Sequence, residues 1–196
     1  TWITRTSGIN TTLFSICYDN NIFVAVGANG IILTSSDGET WTTRTSGVES
    51  LPSNSIVSVT YDSSFNLFVA VGTFTSILTS SNGETWTKID FENVDFSYKS
   101  CAYYCDDLSL ILVAGESKQI YTSNNGVDWF VLQDGTKIEF NHMISDEYNN
   151  RFISPSKGGI KTSPDGINWT IVSDIVTNYI SCNNEGLYVC TKEYWT

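Results

Sequence analysis

One element constrains this chain more than any other feature: T-S-x-[DN]-G-x-x-W, present four times in 196 residues. The copies run Thr34–Trp41, Thr79–Trp86, Thr122–Trp129 and Thr162–Trp169. Counted from Trp2, the tryptophans Trp41, Trp86, Trp129 and Trp169 follow at spacings of 39, 45, 43 and 40 residues. Other segments recur in step. Trp2-Ile3-Thr4-Arg5-Thr6-Ser7-Gly8 returns as Trp41-Thr42-Thr43-Arg44-Thr45-Ser46-Gly47. Phe23-Val24-Ala25-Val26-Gly27 returns as Phe68-Val69-Ala70-Val71-Gly72, and more loosely as Leu112-Val113-Ala114-Gly115.

Each unit resolves into four short runs rich in Val, Ile, Phe, Tyr and Thr, which favour a pleated, half-buried strand. In the first unit the expected strands are Leu13–Tyr18, Ile22–Val26, Ile31–Ser35 and Thr40–Arg44. The breaks fall at Asp19-Asn20-Asn21, Ala28-Asn29-Gly30 and Ser36-Asp37-Gly38. No segment carries a sustained helical period. A repeat near 40 residues made only of strands predicts an all-β chain built as a β-propeller of four-stranded blades.

The repeated element has the residues a tight turn requires. Asp or Asn followed by Gly tolerates positive φ. The Ser hydroxyl and the Asp or Asn side chain can bond the turn's own backbone. The Trp three residues beyond the Gly can fold back over the turn and pack between sheets. The structural set is Ser35, Asp37, Gly38 and Trp41; Ser80, Asn82, Gly83 and Trp86; Ser123, Asn125, Gly126 and Trp129; Ser163, Asp165, Gly166 and Trp169. Four exposed ligand sites are the competing reading. The turn reading is preferred, because every copy keeps what a turn needs.

On these motifs the chain resembles Asp-box (BNR-repeat) β-propellers, and most closely the branch similar to photosystem II assembly factors. That branch also occurs in bacterial secreted proteins and in bacteriophage tail or fibre proteins. The family's usual box has one residue between Asp and Gly. Here the two are adjacent, so the family's Asp position is held by Ser36, Ser81, Asn124 or Pro164. The resemblance implies box turns between the third and fourth strands of each blade.

At the C-terminal end, Tyr179–Thr196 aligns with the opening strands of a unit. Cys182 falls opposite Cys17, and Leu187-Tyr188-Val189 opposite Ile22-Phe23-Val24. Thr1-Trp2 matches the close of a turn element that leads into a fourth strand. The two ends read as halves of one blade. The expectation is a single domain, 1–196: five blades in a closed ring, with the N-terminal strand completing the C-terminal blade. A five-blade excerpt of a longer propeller is the alternative. The sole methionine, Met143, is internal, so the chain is not expected to begin at a translation start.

Composition bears on function. With 21 acidic and 10 basic side chains the net charge is −11, which argues against nucleic acid or an anionic membrane surface as partner. No apolar run approaches the ~20 residues of a membrane span. The family resemblance extends to sialidases, which need an arginine triad, a Tyr–Glu pair and an acid/base Asp. This chain has three arginines, and Arg5 and Arg44 recur on the outer fourth strand, away from Arg151. The single histidine, His142, reads as an ordinary strand residue rather than a general base. No catalytic residues, metal site or cofactor are expected, and the chain is read as non-enzymatic.

Five cysteines, Cys17, Cys101, Cys105, Cys182 and Cys190, are an odd number. Most are expected as small apolar residues inside strands, with a Cys182–Cys190 disulfide left open. Asp90, Glu92 and Asp95, followed by Lys99, read as a solvated acidic loop rather than a cation site. Asn10-Thr11-Thr12 and Asn168-Trp169-Thr170 match the glycosylation sequon, a pattern common by chance.

The connections between second and third strands differ from copy to copy on an otherwise repetitive scaffold, which is where binding specificity sits. The candidate ligand-binding residues are therefore Asn29, Phe74, Glu116, Lys118 and Lys157, on the face opposite the turns. Phe74 is the candidate aromatic platform. The favoured function is a structural or adhesive module of a bacteriophage virion (tail, fibre or appendage) or of a secreted bacterial protein. Its expected partner is a glycan or protein ligand, within a larger virion or cell-surface assembly, with no nucleic acid and no membrane insertion. The expected location is virion or extracellular. An assembly factor similar to the photosystem II type is the alternative, and a sialidase-like glycosidase is disfavoured.

Overall fold

The computed structural model describes residues 3–51, 53–73, 76–90, 101–105, 110–114, 120–132, 140, 142–156, 158–183 and 185–191. Ser76, Cys101–Cys105, Leu132 and Glu147 are described by backbone alone. The strands fall into sheets of consecutive, antiparallel neighbours, as short connections favour. The chain divides into two compact units, Thr1–Asp95 and Phe96–Thr196.

The first unit holds two four-stranded sheets. One is β1 (Leu13–Asp19), β2 (Ile22–Gly27), β3 (Ile32–Ser35) and β4 (Thr42–Arg44). The other is β5 (Ile56–Asp62), β6 (Leu67–Gly72), β7 (Ser76–Ser80) and β8 (Thr87–Asp90). The four strands expected in the first repeat are present, with ends displaced by one or two residues. The largest shift is at Thr40 and Trp41, which stay in the turn. The amide of Thr40 is held by Asp37 Oδ1 at 2.8 Å and is not free to join a ladder.

Local chemistry accounts for the hairpins. Asn20 and Asn21 have φ of 49° and 60°, the positive values a two-residue primed turn requires. Gly27 closes β2 because a Cβ there would lie 2.1 Å from the Thr12 carbonyl oxygen. Equivalent bulges follow Leu13 in β1 and Ile56 in β5, so the two sheets pair in the same register. One dry core joins them. It gathers Val24, Val26 and Ile32 from the first sheet with Ile56, Val59, Phe68, Ala70 and Leu78 from the second. Thus one face of the first sheet packs against the opposite face of the second.

The second unit repeats the arrangement. Its first sheet is β9 (Cys101–Cys105), β10 (Leu110–Ala114), β11 (Ile120–Ser123) and β12 (Phe130–Leu132). The next is β13 (Ile144–Asp146), β14 (Arg151–Ser156), β15 (Gly159–Ser163) and β16 (Thr170–Ser173). Leu112, Ala114 and Ile120 pack on Phe140, Met143 and Phe152, with Trp169 at the margin. A two-stranded sheet follows, β17 (Ile180–Cys182) and β18 (Tyr188–Cys190).

The register of this hairpin corrects the sequence alignment by one residue. Ser181 pairs with Val189, as Cys17 pairs with Val24, so Ser181 and not Cys182 is the counterpart of Cys17. Side chains alternate between faces, so one residue of slip moves a side chain to the other face. Cys182 accordingly turns toward the preceding sheet, its Sγ 3.4 Å from the Ser145 carbonyl oxygen. All five cysteines lie in strands. Cys17, Cys182 and Cys190 are in no disulfide, so the Cys182–Cys190 bond does not form. The reason is register: Cys182 pairs with Tyr188, and Cys190 with Ile180, a diagonal too long for an S–S bond.

Candidate functional site

The four repeated turns use their polar atoms internally. Ser35 Oγ donates to Asp37 Oδ1 (2.9 Å) and accepts from the amide of Gly38 (2.8 Å). Asp37 Oδ1 accepts from the amides of Glu39 and Thr40, both at 2.8 Å. Ser80 with Asn82, Ser123 with Asn125, and Ser163 with Asp165 make the corresponding side-chain bonds. Their Asn or Asp oxygens also take the next two amides. Gly38, Gly83, Gly126 and Gly166 all have φ of 72–73°, a region side chains rarely adopt. The indole N–H of Trp86, Trp129 and Trp169 donates to the carbonyl of its own turn glycine at 2.9, 3.3 and 3.0 Å.

These bonds set the charge state of the turns. Amide donors from Thr40 and Glu39, then the Ser35 hydroxyl, hold the Asp37 carboxyl down to about 2. Burial alone would raise Asp165, but bonds from Asn168, Ile167 and Ser163 outweigh it and also bring it to about 2. The turns also sit close to neighbouring sheets. A Cβ on Gly83 would approach Val24 Cγ2 to 3.0 Å, and one on Gly166 would approach Leu112 Cδ1 to 2.7 Å.

The arginines are engaged by carboxylates. Arg5 pairs with Glu39. Arg44 pairs with Glu84 at 2.5 Å and donates from Nε to Thr34 Oγ1 at 2.8 Å. Both pairs join a W-x-x-R arginine to the residue after a turn glycine. In the last two turns that residue is Val127 or Ile167, and both are exposed.

Arg151 belongs to a different cluster that sequence reasoning missed. Asp146, fully buried, ends β13 and accepts at Oδ2 from Arg151 Nε, from Asn149 Nδ2 (both 2.9 Å) and from the Tyr188 hydroxyl. Arg151 Nη2 and Asn149 Nδ2 each donate to the Tyr188 oxygen at 2.9 Å. Burial pushes the Asp146 carboxyl up, but the bonds from Tyr188, Asn149 and Arg151 win and hold it below the usual range. The signal available in the sequence was Asp146 standing five residues before an arginine where other units have Ile22 or Leu67.

Of the candidate ligand residues, Asn29 is described. It is exposed in the 3-10 turn Ala28–Gly30, with φ of 59°, at the end of β3 opposite the repeated turn. Phe74, Glu116, Lys118 and Lys157 lie outside the described residues, as do Glu92, Asp95 and Lys99 of the acidic loop. His142 lies just before β13 rather than within it. Burial lowers its pKa, and its ring packs 5.5 Å from that of Tyr179. Burial, then the Asp19 charge, pushes the Cys17 thiol up to about 12, which leaves it unreactive.

Each unit has an open cleft. One, of about 340 Å³, is lined by Arg5, Leu13, Phe14, Ser15, Ile16 and Trp41 among others. The second, of about 490 Å³, is lined by His142, Tyr179, Ser181, Val189, Cys190 and Thr191 among others.

No family model matches the chain, and no curated protein matches it. Solved structures do. YCF48 bound to D1 peptide aligns with a TM-score of 0.70 at 17% identity, covering 91% of this chain and 61% of that one. The WD40 β-propeller domain of Doa1 aligns at 0.66 and 15% identity, covering 93% and 62%. A GH74 enzyme of Niastella koreensis aligns at 0.60 and 18% identity, covering 86% and 25%. The chain therefore spans about three fifths of the first two structures and a quarter of the third. At these identities the likeness is one of fold, and the fold is that of a β-propeller.

Proposed function

We propose that this chain is a non-enzymatic binding module on a propeller scaffold, taking a protein or glycan ligand through the connections between second and third strands. In this reading the five repeat units are five blades and the repeated turns are Asp boxes with a structural role. The observation that carries the reading is the internal use of its polar chemistry. The turn Ser and Asp or Asn side chains bond their own backbone, and each of the three arginines is held by a carboxylate. An anion-binding or sialidase-like centre needs such groups directed at a substrate. The variable connections, with Asn29, Phe74, Glu116, Lys118 and Lys157, are then the ligand-reading surface, in a virion or extracellular setting.

The test is adsorption to glycan arrays and to bacterial cells. Phe74→Ala and Lys118→Ala should each abolish binding, and Lys88→Ala, on the outer strand β8, should not. Absence of binding to any surface would remove the adhesive role. Release of sugar from fluorogenic glycosides would overturn the non-enzymatic reading.

A peptide-binding assembly factor is the second reading, favoured by the likeness to a YCF48 structure that holds a peptide. It predicts binding to extended peptides on an array, with no response to glycans. The scattered basic residues of this acidic chain count against a broad positively charged client face.

A further inference from the structure

Within each unit the outer strands of two stacked sheets border a groove, and the two grooves have opposite chemistry. In the first unit Thr42 pairs with Thr34 and Arg44 with Ile32, on the face that looks to the second sheet. Glu84, bridged to Arg44, and Lys88, paired with the core residue Leu78, look back from the second sheet. All four side chains are polar. In the second unit the equivalent positions hold Phe130 and Leu132 from β12, and Ile167 and Ile171 from the fourth sheet. The faces correspond. Phe130 pairs with Thr122, which stands opposite the core residue Leu112. Ile171 pairs with Lys161, which stands opposite Ser154, two residues beyond the core residue Phe152. All four positions are apolar, so the ion pair that bridges the first groove has no counterpart. Phe130 is 59% exposed, Ile171 57% and Ile167 44%, although the two sheets are stacked.

This apolar groove runs beside an open strand edge. Among the described residues β16 is paired on one side, to β15, and ends its sheet. β4 and β8 end theirs as well, but Arg44 guards one edge and the Lys88–Asp90 pair the other. β16, Thr-Ile-Val-Ser, carries no charge. An unguarded edge presents backbone N–H and C=O groups that pair with another extended chain. The charge that follows the strand is Asp174, an exposed carboxylate, and Asp128 is exposed in the turn before Phe130. Lys161, on the Ile171 face, is half-buried. Single exposed apolar side chains need no partner, but a set lining one groove marks a binding surface.

We propose that the groove between β12 and β16 binds an extended peptide as an added strand on the β16 edge. Alternate apolar side chains of the peptide seat against Phe130, Ile167 and Ile171, and a lysine or arginine at its end meets Asp174. A second copy of this chain is the poorer occupant, because each copy carries a net charge of −11. The site is distinct from the connections between second and third strands.

The test is titration calorimetry of the full chain with short peptides that alternate Val, Ile or Leu with Thr and end in either Lys-Lys or Glu-Glu. The lysine-ended peptides should bind, and more tightly than the glutamate-ended ones. Ile171→Glu should weaken binding about tenfold or more, since it places a carboxylate in an apolar contact. Phe130→Ala should weaken it several-fold, and Asp174→Lys should reverse the preference between the two peptide ends. These side chains are exposed, so far-ultraviolet circular dichroism and melting should be unchanged. Thr42→Ala in the polar groove and Phe74→Ala on the variable connections should leave binding intact. Methylating every second peptide nitrogen in one register should abolish binding, and in the other register should not, as strand pairing requires. Failure of every peptide to bind overturns the proposal. So does binding indifferent to Ile171→Glu and Phe130→Ala, or equal loss with both methylation registers. A two-chain mass in light scattering that Ile171→Glu reduces to one chain would put a second copy on this edge and overturn the peptide as its occupant.

Discussion

The contact between the first and second sheets and the contact between the fourth sheet and the last hairpin are built on the same plan with opposite chemistry. Phe68 and Tyr188 occupy equivalent positions, each just before Val69 or Val189 and each paired with the inner strand, at Tyr61 or Cys182. Phe68 is fully buried, with its ring 4.6 Å from that of Tyr61 and 6.5 Å from that of Trp86. Tyr188 adds one oxygen, and that oxygen gathers Asp146, Asn149 and Arg151. The first contact is a dry core held by area and packing. The second is a polar clasp whose members depend on one another. The aspartates that end the inner strands show the same divergence. Asp62 Oδ1 caps its own turn through the amides of Ser64 and Phe65, whereas Asp146 reaches the next sheet.

The dry contact should give the largest single effect. Phe68→Ala removes a fully buried ring from the centre of a core and should destabilise the first unit by about 3–5 kcal/mol, from lost transfer energy and the cavity left behind. Urea unfolding followed by tryptophan fluorescence measures it, since Trp86 borders the site. The effect should be nearly independent of pH between 3 and 7, because Phe68 has no titrating partner. A loss under about 1 kcal/mol would mean that the two sheets do not depend on this packing.

Asp146→Ala comes next, at about 2–3 kcal/mol. Breaking a buried pair leaves the partner charge uncompensated, but Arg151 is a third exposed, which moderates the loss. Amide exchange should place the lost protection at residues 180–190 and spare 56–72. This contact alone should weaken in acid. The folded Asp146 pKa lies below its unfolded value, so its contribution is complete above about pH 4 and is lost as pH falls further. The gap between wild type and Asp146→Asn should therefore narrow on moving from pH 7 to pH 3. Tyr188→Phe isolates the single oxygen and converts the clasp residue to the dry type. It should cost about 1–2 kcal/mol, near the lower end for hydrogen bonds to charged groups because the site is partly exposed. A neutral or stabilising Tyr188→Phe would show that the hydroxyl is dispensable and that ring packing carries both contacts.

Much of the dry architecture was legible in the sequence. The repeat, the strand order and the turn between third and fourth strands follow from residues that act locally: Asn20-Asn21 for a primed turn, and Ser35, Asp37 and Gly38 for the bonded loop. The clasp was not legible, because Asp146 and Tyr188 lie 42 residues apart and neither belongs to the repeated motif. The one-residue slip at the last hairpin has a similar cause. Matching Cys182 to Cys17 follows residue identity, whereas the fold follows the alternation of faces, and Ser181 holds the position. The ion pairs were legible in principle. Arg5 and Arg44 recur with Glu39 and Glu84 on the same repeat period, and the glutamate gives way to Val127 and Ile167 where no such arginine precedes it.

Those ion pairs should give the smallest effect, which separates recurrence from energetic weight. Arg44 and Glu84 approach to 2.5 Å, but their side chains are partly exposed. Water and salt screen such a pair, and holding two long side chains in one geometry opposes the attraction. Arg44→Gln keeps much of the stem and removes the charge, so its loss should be about 0–1 kcal/mol. Half a molar salt should erase most of the difference from wild type, while leaving the Phe68→Ala loss in place. A larger, salt-resistant effect would shift the weight onto the bond from Arg44 Nε to Thr34 Oγ1, which ties the outer strand β4 to β3 within one sheet. Arg44→Lys decides between the two, since lysine keeps the charge but not the planar fork that reaches both partners at once.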